Sequence, residues 1–327
     1  MSKVSVIVPI YNVESFIKRC AISLFEQSLK NVEYIFVDDA TPDDSMKILK
    51  EVAKKYPCRA NDIKILRHEK NKGLPAARNA GLSVASGDYI YHCDSDDFME
   101  STALEQLYNM AVEHQADIVW SDWLLSFNGK ERKIVEPSFS TSFDALKSML
   151  VGPMNYNVWN KLVKRTLYTD NSISFPSGYS MGEDLTMLKL MACAKNVYYL
   201  PIPTYHYIKC NSGAMTANYT DNSLKALKYN VDKVCWFLTE KFGDKIEKEI
   251  SYFKLGIKSI FLVSSHPCKM CKLWESWFPE TNVYAGHNVR TAKRIRLLEW
   301  FASKKQYWLI SLYYWIVIKF LYGIKYR

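Results

Sequence analysis

The chain has 327 residues, 48% of them apolar, enough for a full core in one large domain with an appendage or in two domains. Its net charge of +9 is uneven: residues 254–327 hold thirteen Lys/Arg against three Asp/Glu, a local excess of +10, and residues 1–253 sit at −1. Basic and aromatic residues fall on no recognised nucleic-acid module, which excludes that class of partner, and the eight scattered cysteines read as reduced thiols of a cytosolic protein.

Residues 4–8 (VSVIV) form a β-branched run closed by Pro9, a short buried strand and not the start of a signal peptide. Tyr11 and Asn12 make the turn, and the spacing of Phe16, Ile17, Cys20, Leu24 and Phe25 predicts a helix over 14–29. Residues 34–37 are a second buried strand ending on Asp38 and Asp39. Thr41-Pro42-Asp43-Asp44 reads as a helix start, with Thr41 as N-cap and Pro42 in the first turn, and that helix runs to about Tyr56. Residues 63–66 are a third strand. Gly73 then turns into an Ala-rich helix carrying Arg78 and Asn79.

The fourth strand is the informative one. Residues 87–97 (GDYIYHCDSDD) run apolar and aromatic from Tyr89 to Cys93 and stop at Asp94, Ser95, Asp96 and Asp97. Three carboxylates in four residues repel one another, so the chain keeps them solvated or neutralises them with a cation. A solvated acidic turn is the plain alternative to a site. A helix over 102–114 and a strand over 117–120 follow, and alternating strands and helices indicate a mainly parallel sheet with helices on both faces. Such a sheet would set Asp38/Asp39 and Asp94/Asp96 along one ligand-binding edge, which favours the site.

Four segments in order, VSVIVPIYN (4–12), VDDATPDDS (37–45), NKGLPAARNAGL (71–82) and GDYIYHCDSDD (87–97), resemble the N-terminal motifs of family 2 glycosyltransferases. The resemblance is close to about residue 120 and looser to about 215. It implies an α/β fold of the GT-A type, an inverting reaction, a UDP-sugar donor and a Mn²⁺ or Mg²⁺ ion. It also implies donor contacts from Pro9, Tyr11, Glu14, Asp39, Arg78, Asp94, Ser95 and Asp96: Asp39 on the uracil, Arg78 near the diphosphate, Asp94 and Asp96 on ribose and metal. Asn79 and Gly81 are left to the turn and to packing. Ala40 departs from the family, which often has Gly there, and His92-Cys93 replaces a commoner Phe-Leu pair; His92 reads as a strand-face residue.

Downstream, residues 158–162 (VWNKL) resemble an element of bacterial members near the acceptor pocket, or simply a buried Trp with a helix start. Residues 179–185 (YSMGEDL) open an amphipathic helix through Leu185, Leu188 and Met191, and resemble the segment carrying the family's base. That implies Asp184 as base, with Glu183 as the fallback; an ordinary acidic helix N-terminus is the alternative. His206, in a segment with Ser212 and Thr216 that resembles the end of a catalytic domain, is a candidate third metal ligand or a structural histidine. The catalytic domain is thus expected over 1–218, with a donor half to 120.

Residues 219–327 read as a helical region. His266, Cys268 and Cys271 lack the second pair that a zinc finger needs. In 290–305 the apolar Ile295, Leu298, Phe301 and Ala302 share one side, and Tyr307 opens a twelve-residue apolar and aromatic run to 318. Twelve residues span about 18 Å as helix, too short to cross a bilayer of ~30 Å. With its basic flanks this tail is expected to lie on the cytoplasmic face of an anionic membrane, suiting a lipid-linked saccharide acceptor; a helix packed on the protein is the alternative. Two rival functions remain. A nucleotidyltransferase would need a Gly-rich basic loop where Pro9-Ile10-Tyr11-Asn12 stands, and intact Asp39, Asp94, Asp96 and Asp184 argue against an inactive membrane-associated scaffold.

Overall fold

In the computed structural model, which describes residues 2–127, 129–209, 220–263, 267–288 and 291–322, the chain divides by internal contacts into two units. One comprises Met1–Leu146 and Met154–Val234, the other Lys147–Pro153 and Cys235–Arg327.

The first unit is built on one mixed sheet. Its strands are β1 (Val4–Ile10), β2 (Val32–Asp38), β3 (Ile63–Arg67), β4 (Tyr89–His92), β5 (Phe98–Met99), β6 (Ile118–Phe127), β7 (Lys130–Ile134), β8 (Lys161–Lys164) and β9 (Val197–Ile208). They lie in the order β3-β2-β1-β4-β8-β6-β9-β5, with β7 paired to the outer part of β6. Every residue of β1 and β2 is buried, as expected of strands covered on both faces. On one face Val4, Val6, Val8 and Ile10 join the core of α1 (Ile17–Phe25), α2 (Ser45–Ala53) and α4 (Ala103–Glu113). On the other, Ile7 meets α3 (Leu74–Val84) so closely that a Cβ on Gly81 would sit 2.4 Å from its Cγ2. Only glycine fits that crossing.

The parallel sheet is found in β3-β2-β1-β4, whereas β8 runs antiparallel to both β4 and β6 and makes the far half mixed. Three local expectations are corrected. Helix α2 begins at Ser45, because Thr41 spends its hydroxyl on Asp43 and accepts the Asn12 N–H, tying the loop after β2 to the loop after β1. Residues 158–162 lead into strand β8 and not a helix: Trp159 is buried by stacking on Tyr205 and Tyr207, and Lys161 is drawn inside by the carbonyls of Asn155 and Asn157 and the side-chain oxygen of Asn160. The strand expected over 117–120 continues to Phe127 and turns back as β7. Ala40 holds a φ of +55°, a left-handed conformation that L side chains adopt at a cost, which accounts physically for glycine at that place in the family.

After β7 the chain also forms α5 (Ser142–Val151), α6 (Arg165–Asp170), α7 (Thr186–Cys193) and α8 (Asp221–Phe242), and the second unit is helical: α9 (Glu247–Lys258), α10 (Pro267–Ser276), α11 (Lys293–Ser303), α12 (Tyr307–Tyr313) and a π-helical run Tyr314–Tyr322. Lys258 is buried here and donates to the carbonyls of Trp277 and Phe278 and to Asn282. On α11, α12 and the π-helical run, Leu298, Ala302 and Ile310 are buried, while Leu297, Trp300, Trp308, Leu312, Trp315 and Ile316 are exposed. Among the described residues no helix is long and apolar enough to cross a membrane. Ser212, Thr216, His266 and the Cys268 side chain lie outside the described residues.

Candidate active site

The site forms where β1, β2 and β4 end together. Past β1, the Glu14 N–H donates to Asp43 at 2.9 Å, and Glu14 in turn accepts the Asp44 N–H at 3.2 Å. Pro9 is buried inside β1, and Tyr11 stands out of the same loop, 48% exposed. Past β2, Asp39 is buried and holds the loop that enters α3. Its carboxylate accepts the backbone N–H groups of Lys72 and Gly73 at 2.9 and 2.8 Å and faces Nδ1 of His68 at 2.6 Å. The edge expected to read the base therefore carries Asp39 already oriented by three partners.

Past β4 the acidic cluster splits by role. Asp97 is buried and accepts the Tyr205 hydroxyl and the Ile208 N–H, and burial with the nearby Asp96 and Asp94 pushes its carboxyl well above the usual range. It is a structural acid that pins β9 beneath the turn. Ser95 is buried, and Asp94 and Asp96 are half-buried. This donor set fits a hard divalent ion, which takes one or two carboxylates and completes its shell from substrate phosphates. Among the described residues no three or more His, Cys, Asp or Glu gather into an all-protein site. His206 is employed elsewhere: its Nδ1 and Nε2 lie 2.8 Å from Glu131 and Glu100, and its ring stacks on Phe98 at 4.0 Å.

Arg78 joins the cluster to the far half of the unit. Its side chain is fully buried, with Nη2 donating to Asp94 Oδ1 at 2.9 Å and Nη1 to Glu183 Oε1 at 3.0 Å, and Asp184 Oδ1 at 3.5 Å. Burial opposes its charge, yet the three carboxylates outweigh burial and hold the guanidinium above its ordinary value. Where the resemblance sets Arg78 beside the diphosphate, this geometry makes it the bridge between Asp94 and the Gly-Glu-Asp turn. Asn79 locks the same junction, its amide donating to the Phe175 carbonyl at 2.8 Å and its oxygen accepting the Phe175 N–H at 2.9 Å.

The acidic pair opens a short 3₁₀ turn (Glu183–Leu185) ahead of α7 (Thr186–Cys193). Glu183 is buried; burial first and the adjacent Asp184 second push its carboxyl up to about 8, against the pull of Arg78. Asp184 is also raised, by burial and Asp94 against Arg78, but 35% of its side chain remains exposed. One arginine serves three carboxylates, and the buried Glu183 is the one whose carboxyl is pushed up to about 8. Unfolded, that acid ionises near 4.5; folded, it holds its proton to about 8. Stability should therefore fall as pH rises across that window. Melting curves from pH 5 to 8 in EDTA should show the decline in wild type and a flatter profile in Glu183→Gln.

Sequence reading did not foresee Asp97, the Arg78 bridge, or Lys161, a buried cation whose ammonium burial pushes down to about 8 against the charges of Glu136 and Asp184. Asp97 and Arg78 find their partners on distant elements, whereas Lys161 finds its own in the loop just before β8, and only the acidic run 94–97 marked any of them locally.

A mixed α/β sheet with carboxylates collected at its strand ends and tied to a second acidic turn defines a GT-A-type domain. The family model for glycosyl transferase family 2 matches residues 5–179, over half of the chain, and the chain belongs to that family. It is 32% identical over 275 residues to "Glycosyltransferase GlyA" of Streptococcus pneumoniae, covering 77% of this chain and 37% of that protein. It is also 32% identical over 226 residues to "Poly(ribitol-phosphate) beta-glucosyltransferase" of Bacillus spizizenii, covering 66% of this chain and 34% of that protein. The matched region thus spans about a third of each relative's length. Among solved structures, residues 1–349 of S. aureus TarS share the fold with a TM-score of 0.68 at 20% identity, covering 99% of this chain and 93% of that one. The same TarS segment in complex with UDP-GlcNAc gives 0.66 at 22% identity, with the same coverage.

Proposed function

We propose that this chain is an inverting glycosyltransferase that moves a hexose or N-acetylhexosamine from a UDP-sugar to a saccharide acceptor, lipid-linked, in cell-surface polysaccharide biosynthesis. The observation that carries the reading is Arg78, which couples Asp94 of the donor edge to Glu183 and Asp184. Inversion needs a carboxylate facing the acceptor hydroxyl from the side opposite the departing diphosphate. Asp184 takes that role: it is the more exposed of the pair and makes the longer contact with Arg78. As the acceptor oxygen bonds to the anomeric carbon, Asp184 accepts the hydroxyl proton and the bond to UDP breaks. Pro9, Tyr11, Glu14, Asp39 and Ser95 are assigned to holding the nucleotide, with uracil against Asp39. Asp94 and Asp96 would hold Mn²⁺ or Mg²⁺, which supplies stabilisation of the negative charge gathering on the leaving diphosphate. His206, occupied by Glu100 and Glu131, is left out of that set.

Nucleotide release from a panel of UDP- and GDP-sugars tests the donor class. UDP release from a UDP-hexose or UDP-N-acetylhexosamine is expected, and it should be lost in EDTA and in Asp96→Ala. Release from GDP-sugars alone sinks the donor assignment, and full activity in EDTA sinks the metal.

We assign the exposed Trp300, Trp308, Trp315, Leu297, Leu312 and Ile316, set among Lys293, Arg294, Arg296, Lys304 and Lys305, to peripheral contact with the inner face of an anionic membrane. Each basic residue near such a surface contributes about 1 kcal/mol, so vesicle binding should weaken steeply with salt. Removing residues 290–327 should abolish co-sedimentation with anionic vesicles while donor hydrolysis survives. A truncated protein that melts early, beside a full-length chain indifferent to vesicles, would instead make the tail a packed helix.

A further inference from the structure

Beside the turn that carries Glu183 and Asp184 lies a cavity of about 190 Å³, walled by residues 174–176, the start of α7 and one face of α8 (Asp221–Phe242). Its lining holds two lysines, Lys189 and Lys233, and no Asp or Glu. Lys189 lies one turn along α7 from Thr186, and Lys233 one turn along α8 from Tyr229, so each pair shares a helix face. The Tyr229 ring holds the Lys233 ammonium at 5.6 Å and stacks on Tyr179 at 3.9 Å. Two cations from two helices thus meet one void whose wall offers no carboxylate. Burial first, and the charge of Lys233 second, hold the Lys189 ammonium below its ordinary value. Ser174 and Thr186, residues whose hydroxyls can donate, belong to the same lining. The space is about six times a water's share of the liquid, room for a phosphate group and its first substituents. Phe175 lines this cavity and also takes the Arg78 guanidinium at 5.3 Å, so the cavity abuts the bridged carboxylates without including them.

We infer that this cavity is a phosphate-binding site, separate from the edge at Asp94 and Asp96 assigned to the donor. A phosphate carried by the acceptor suits its place beside the proposed base, and that last step rests on the glycosyl-transfer reading; free inorganic phosphate offers the same group.

The test is calorimetric titration of the full chain, in EDTA and without donor, with inorganic phosphate and separately with glycerophosphoglycerol as a phosphodiester. One saturable site per chain is expected, weakened about ten-fold or more in Lys189→Met and in Lys233→Met, because a hydrogen-bonded charge is removed. UDP affinity, measured with Mn²⁺, should stay within about two-fold of wild type, and Lys47→Met, at an exposed lysine of α2, should change nothing. Phosphodiester binding that inorganic phosphate displaces identifies an acceptor phosphate; binding of inorganic phosphate alone identifies the free ion. Absence of saturable binding by both probes, or binding indifferent to both substitutions, overturns the site. Lys233 is exposed, so its variant decides the matter if Lys189→Met melts early. Donor hydrolysis run on the same samples reports on glycosyl transfer independently: its absence in wild type removes that reading and leaves the phosphate titration to stand or fall alone.

Discussion

Asp184→Asn should lower kcat by about 10²- to 10⁴-fold, the usual worth of a positioned general base. The substitution keeps the shape and most of the hydrogen bonding of the side chain but cannot accept the acceptor's proton. Because Asp184 is assigned to the acceptor side, the affinity for the UDP-sugar should change little, so the loss falls in kcat and not in donor KM. Stability should hold or rise slightly, since the change removes one of three carboxylates that share a single guanidinium. Steady-state kinetics of Asp184→Asn and Glu183→Gln side by side make the comparison. Near-normal turnover in Asp184→Asn together with a collapse in Glu183→Gln would move the base one residue upstream.

Arg78→Met should be the most damaging single substitution to the fold of the first unit. It leaves Asp94, Glu183 and Asp184 without the cation that two of them meet within 3.0 Å. Removing one partner of a buried ion pair typically costs about 3–5 kcal/mol. For a unit of this size that corresponds to a fall in Tm of about 6–20 °C. The loss should be smaller at pH 5 than at pH 8, because the orphaned carboxyls escape part of the penalty by binding protons. Thermal melts at the two pH values measure both effects. An unchanged Tm at pH 8 would mean that the bridge does not hold the site together.

The first four strands were legible because their signals are local. β-branched runs marked β1 and β2, Gly73 marked the entry to α3, and the aspartates at the ends of β2 and β4 marked one edge of the sheet. What stayed hidden is what the chain joins over long separations. Arg78 and Glu183 are 105 positions apart, and nothing near either residue announces the other. Strand β8 was concealed for a different reason: Lys161 reads as a surface residue until the loop just before it folds the carbonyls of Asn155 and Asn157 over its ammonium. Thr41 reads as a cap because Pro42 and two aspartates follow it, yet the tie to Asn12 of the preceding loop takes the hydroxyl first. His206 was proposed from its position in a motif; its partners Glu100 and Glu131 belong to a turn before α4 and to β7, the second of which the sequence did not suggest.

The arrangement around Arg78 also explains why two adjacent acids are useful. A single carboxylate on that turn would pair with the guanidinium and be held there. With two, Glu183 takes the closer contact, which leaves Asp184 at the longer 3.5 Å contact and partly open.

The most direct measurement is real-time ¹H NMR of donor hydrolysis by the full chain, with an α-linked UDP-sugar, Mg²⁺ and water as acceptor. An inverting displacement assisted by Asp184 should release the β-anomer of the free sugar first, ahead of mutarotation, together with UDP. Release of the α-anomer first would contradict the mechanism.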